Sequence, residues 1–123
     1  MPILNVSKTE LLILQSRKLL PKRANHLTAN QLKDDILTIS TPHYYFGKIQ
    51  KPEPEIVYHL AGYIKEAFPM IMVGDIHAIL SISSRELGSK VSKMDIDTFS
   101  TILPKYEAFV LKLILKMNEV AKS

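Results

Sequence analysis

From Asp97 onward, Phe99, Ile102, Leu103, Tyr106, Phe109, Val110, Leu113, Ile114, Met117 and Val120 recur at helical spacing, with Lys105, Lys112, Lys116 and Glu119 opposed to them. A stripe this broad and long demands a long final helix, together with other apolar surfaces against which it can be buried. Pro104 lies inside the pattern and is expected to start or kink that helix, because its ring removes a backbone donor.

The rest of the chain supplies those surfaces in short helical pieces. Ser7 followed by Glu10 makes a capping box, with Val6 and Leu11 placed as a hydrophobic staple, so a helix is expected from about Lys8, carrying Leu11 to Leu14 and stopping before Pro21. Thr28, Gln31, Leu27 and Leu32 repeat the same signature and predict a second helix from Ala29 to about Ile39. Residues 40–54 contain three prolines and Gly47, which reads as the longest connector. Pro54 suits a helix start, and Ile56, Leu60, Ile64 and Phe68 then recur at intervals of four up to Pro69. Met70 to Val73 reads as a short extended piece. Ile76, Ile79, Leu80 and Ser83 resume the helical spacing, and Gly88 is placed to cap that helix. The expected architecture is all-α: a compact bundle of about five or six helices forming one domain over residues 1–123, with a helix-turn-helix-like pair outlined in the C-terminal half.

Composition bounds the function. With no Cys the chain has no disulfide, thiolate metal site or Cys nucleophile, which fits a cytoplasmic protein. Sixteen Lys and Arg against twelve Asp and Glu give a formal charge of +4, a modest excess that favours polyanionic partners without requiring one. The longest apolar runs fall far short of the roughly 20 residues that cross a bilayer, so no membrane partner is expected. The four His residues show no compact ligand spacing, the glycines are scattered and no nucleophile elbow is present. No metal, cofactor or enzymatic activity is expected.

Three groups of residues are candidates for binding nucleic acid. The segment from Ser84 to Leu103 has the outline of a helix-turn-helix, in which Arg85, Lys90 and Lys93 would hold phosphates while Thr98, Ser100 and Thr101 face base edges. A packed helical hairpin without a ligand is the plainer alternative. Arg17, Lys18, Lys22 and Arg23 form a second cationic cluster, either a phosphate-contacting edge or a solvated helix end whose cations suit the helix dipole. His43, Tyr44, Tyr45 and Phe46 could make a stacking platform with Lys48 and Lys51 as its cations, or fold back to cover the core.

The run Gly74-Asp75-Ile76-His77-Ala78-Ile79-Leu80, the break Arg85-Glu86-Leu87-Gly88, the start Asp97-Thr98-Phe99 and Tyr106 together resemble a pattern in small proteins of Bacteroides-type phages and mobile elements. The resemblance covers only Gly74 to Tyr106; the usual aromatic before the final Tyr is missing, with Pro104 nearby instead. It implies a DNA-associated accessory role and no active-site residue. The functional expectation is therefore a non-enzymatic accessory protein that binds DNA or a replication or regulatory protein. The alternative is a protein-interaction or assembly module, in which the apolar face of the final helix meets a partner or a second copy.

Overall fold

The computed structural model describes residues 5–82 and 84–122. Among them the protein is an all-α bundle: α1 (Lys8–Leu19), α2 (Ala29–Tyr45), α3 (Pro54–Ala67), α4 (Val73–Ser81), the single turn α5 (Ser84–Leu87) and α6 (Ile96–Lys122), with a 3-10 turn at Ala24–His26. One continuous cluster of buried side chains connects the major helices.

Both capping boxes form. The Glu10 amide donates to Ser7 Oγ at 3.1 Å and the Ser7 amide to Glu10 Oε1 at 2.9 Å. The Gln31 amide donates to Thr28 Oγ1 at 3.1 Å, and the Thr28 amide to Gln31 Oε1 at 2.9 Å. The bond from the Ser7 amide and the nearby Lys116 ammonium hold the Glu10 carboxyl below its ordinary range, outweighing its partial desolvation. Ser7→Ala and Thr28→Ala should each cost about 1 kcal/mol in urea unfolding. An unchanged midpoint in both would show that the caps are redundant.

The second helix runs further than expected, continuing through Pro42 to Tyr45. Loss of the Pro42 donor is a local cost, whereas Leu32, Ile36 and Ser40 fix this helix in the core, with Ser40 Oγ donating to the Ile36 carbonyl at 2.7 Å. The true stop is Gly47, at φ +74°, where the amides of Gly47 and Lys48 donate to the carbonyls of Tyr44 and His43. That pairing is a Schellman closure. The connector is correspondingly shortened to residues 46–53.

In α3, Pro54 occupies the first turn, but the inward residues are Val57, Leu60, Ala61 and Ile64, while Ile56 is exposed. The four-residue repeat therefore marks Leu60 and Ile64 correctly and places Ile56 on the wrong side. Backbone hydrogen bonds join residues 69–74 to 20–25, with an isolated antiparallel bridge between Arg23 and Met72. The Ala24 amide donates to the Ile71 carbonyl and the Val73 amide to the Lys22 carbonyl, both at 2.8 Å. The extended piece expected at Met70 to Val73 is reduced to the bridge at Met72: Met70 lies in a turn, and Val73 already begins α4, whose residues from Val73 to Leu80 are buried except His77. That helix ends at Ser81 instead of continuing to Gly88; Ser83 lies outside the described residues. Gly88, at φ +72°, follows α5.

The start of α6 is set by Asp95, whose Oδ1 accepts from the Thr98 amide at 2.9 Å. The helix passes through Pro104 and sends Phe99, Ile102, Leu103, Tyr106, Val110 and Leu113 into the core. Leu60, Leu80, Phe99 and Leu113 are all buried, the last two sharing α6. The broad stripe also divides. Its members Ile114 and Met117 are exposed, and Ile114 forms an outward row with Leu111 and Leu115, which lie outside the stripe. The helix-turn-helix outline takes another form here, because α5 is four residues long and residues 88–95 separate it from α6. A tight turn of about three or four residues would be needed for that motif.

Candidate nucleic-acid interface

The pivot of the interior is Asp75, which is fully buried. Arg17 grips it in two places, Nε donating to Oδ1 at 2.8 Å and Nη2 to Oδ2 at 3.1 Å. The Met72 amide donates to Oδ2 at 2.8 Å, and the Tyr106 hydroxyl donates to Oδ1. Burial and the adjacent carboxylate push the Tyr106 hydroxyl far above its ordinary range, so it remains a donor. Burial works against the charge of Arg17, but the Asp75 carboxylate outweighs it and raises the guanidinium pKa. These groups tie α1, α4 and α6 together. Arg17 is therefore committed to the interior, and its expected role at a phosphate edge is replaced by an ion pair.

The other expected binding residues are dispersed. Lys18 and Lys22 are exposed at the end of α1, and Arg23 is half-buried beside Met72. Arg85 lines a mixed-charge groove with Glu10, Glu86, Lys105 and Lys112, in which Glu86 accepts from the Thr9 hydroxyl. Thr98 is half-buried in the first turn of α6. Thr101 is exposed, but its hydroxyl turns back to the Asp97 carbonyl at 3.4 Å, as does that of Ser100 at 3.0 Å. These residues do not share a base-reading face, since this part of α6 directs Phe99, Ile102 and Leu103 inward.

A different grouping emerges around Lys90 and Lys93. The connectors 46–53 and 88–95 lie side by side, joined by the Gln50 amide donating to the Ser92 carbonyl at 2.9 Å. Buried Ile49 and Met94 anchor them, so Lys48, Lys51, Lys90 and Lys93 all remain exposed. Lys48 and Lys90 line one cleft, with Ile79, Ile82 and Val91 among its walls. Lys51 and Lys93 line the next, which also contains Glu53 and Asp95. Among the described residues, none of these four lysines is ion-paired. Lys48 and Lys51 were visible in the sequence as cations near the aromatic run, but their pairing with Lys90 and Lys93 depends on the packing of two distant connectors.

The aromatic run divides as well. Tyr44 packs partly against the core, while Tyr45 and Phe46 project into solvent. His43 meets His77 edge-on with ring centroids 6.2 Å apart, and His77 Nδ1 lies 3.1 Å from Ser16 Oγ. Burial, Lys48 and His77 together lower the pKa of His43. No group of three or more acidic, His or Cys side chains suited to a metal occurs among the described residues, and no helix there is long and apolar enough to cross a membrane. Against protein families, curated proteins and solved structures, the chain has no match.

Proposed function

We propose that the protein is a non-enzymatic accessory protein that binds nucleic acid through the paired connectors 46–53 and 88–95. The observation supporting this reading is the placement of four exposed lysines, without an ion-pair partner among the described residues, along two connectors joined by the Gln50–Ser92 bond. Cations held at fixed positions on one surface suit a repeating phosphate backbone, and binding gains free energy as they release its condensed counterions. The proposal rests on this arrangement, independently of the phage and mobile-element resemblance.

Fluorescence anisotropy with a labelled oligonucleotide at several salt concentrations tests it. Replacing Lys48, Lys51, Lys90 and Lys93 with Ala should weaken binding and reduce the slope of log K against log salt by up to roughly 2.8–3.6, the sum of four contacts at roughly 0.7–0.9 each. Lys18→Ala/Lys22→Ala, away from the connectors, should change the slope less. Absence of wild-type binding at low salt would overturn the proposal.

A second reading has its own observation. Leu111, Ile114 and Leu115 form an exposed apolar row on α6, at 57%, 41% and 55% exposure. This row suits a protein partner or a second copy through helix-face packing. Sedimentation across a range of protein concentrations tests the second-copy form; a constant monomer mass would remove it.

A further inference from the structure

We infer that the connector surface binds an unpaired nucleic-acid strand, with Tyr45 and Phe46 stacking on its bases while Lys48 and Lys90 engage its phosphates. This inference rests on the nucleic-acid reading above and adds the form of the strand. Tyr45 and Phe46 are 78% and 81% exposed, whereas Phe99 and Tyr106 are buried and Tyr44, Tyr63, Phe68 and Phe109 pack partly against the core. Tyr58 is the remaining aromatic, at 41% exposure. The two projecting rings therefore contribute little to the core and stand immediately before Gly47 and Lys48.

Their backbone is held in place. The Phe46 amide donates to the Pro42 carbonyl at 3.0 Å, and the Gly47 and Lys48 amides close the end of α2 at 2.9 Å each. Tyr44 and Tyr45 are in contact, with ring centroids 5.4 Å apart. A platform whose backbone is already ordered loses less entropy when a ligand settles on it. Next to it, the Lys48–Lys90 cleft has a volume of about 560 Å³, with Ile79, Ile82 and Val91 contributing apolar walls. An apolar wall beside exposed cations matches the two parts of an unpaired nucleotide, its base face and its phosphate.

A duplex matches this surface less well. Its base faces are covered by stacking, and its sequence is read in a groove by an inserted helix or ribbon with a free face. Here α4 is largely buried, α5 is one turn, and the start of α6 sends Phe99, Ile102 and Leu103 into the core. Within a duplex the exposed rings find no free base face except at its ends, whereas an unpaired strand offers one at every base.

The test compares labelled oligothymidylate, oligouridylate and a blunt duplex of equal strand length by fluorescence anisotropy at matched salt. Wild-type protein should bind at least one single strand more tightly than the duplex. Tyr45→Ala/Phe46→Ala should weaken single-strand binding by about tenfold to a hundredfold, with the salt slope and duplex binding retained. Tyr45→Phe should retain single-strand affinity, since stacking needs the ring and not the hydroxyl. Circular dichroism confirms that each variant keeps its helix content. Duplex binding equal to or tighter than single-strand binding overturns the inference, as does undiminished single-strand binding by the double Ala variant. In those cases, a slope lowered by the four-lysine substitution leaves the broader nucleic-acid reading standing. Failure of wild-type protein to bind any of the three probes overturns both.

Discussion

Asp75→Ala is expected to destabilise the protein by about 3–5 kcal/mol, because it removes the common acceptor of four hydrogen bonds while leaving the partly desolvated Arg17 charge without its partner. The Tyr106 hydroxyl would be left in the core without its partner, and the first turn of α4 would lose the carboxylate that caps the Met72 amide. For a domain of this size the corresponding fall in melting temperature is roughly 10–25 °C. Asp75→Asn should cost less, since an amide oxygen still accepts from one donor but the opposing charge is gone. The informative comparison is Arg17→Met/Asp75→Leu/Tyr106→Phe. Removing all the buried polar groups together should recover most of the loss, with about 1 kcal/mol remaining for the uncapped amide. Urea unfolding of the single and triple variants checks this. If both are equally unstable, side-chain packing rather than the unpaired charge is the source of the defect.

How much of this was legible depends on the distance over which each feature is determined. The starts at Ser7 and Thr28 require only a residue and its neighbour three positions on, and both are found as read. The continuation of α2 through Pro42 is a different problem: the breaker is local, but the burial of Ile36 and Ser40 that outweighs it comes from other helices. Ile56 and Val57 are adjacent and both apolar, so the sequence repeat alone does not decide which faces inward; packing against α2 and α6 selects Val57. On α6 the ten apolar residues read as one face because each fits helical spacing. Only the limited surface of the surrounding helices reveals that Ile114 and Met117 are left outside, beside Leu111 and Leu115.

The candidate site shows the same division. The aromatic run and its neighbouring cations were visible, and so were Lys90 and Lys93, but nothing local indicates that Gln50 and Ser92 bring them together. Arg17 illustrates the opposite failure. A cation near a helix end next to Lys18 reads as solvated, and its withdrawal into an ion pair follows from the position of Asp75, far along the chain. Gly74, Asp75 and Tyr106 all lie in the stretch that carries the sequence resemblance, with nothing local to link them; in the fold Asp75 and Tyr106 share one hydrogen-bonded group, and Gly74 is the point at which α4 approaches α1.

That approach makes Gly74→Ala the second substitution with a large expected effect. A Cβ at this position would overlap the Ser16 carbonyl and come within 2.9 Å of the Arg17 amide nitrogen. Both obstacles are backbone within α1, so no side-chain rotation relieves the overlap and the two helices must separate. Separation would disturb the Gly74 amide bond to the Leu20 carbonyl and the contacts from Arg17 to Asp75. Alanine's better helix propensity, worth about 1 kcal/mol, opposes the clash but is smaller than the overpacking cost of about 1–3 kcal/mol combined with damage to the buried ion pair. A net loss of about 3 kcal/mol or more is expected in urea unfolding. Gly62→Ala on α3 provides the control, because, its chain neighbours and own helix backbone aside, no described atom lies within 4 Å of its added Cβ and the same propensity gain should appear there without a clash. Stabilisation at both positions would show that α1 and α4 have room to spare and that their close approach is not fixed by Gly74.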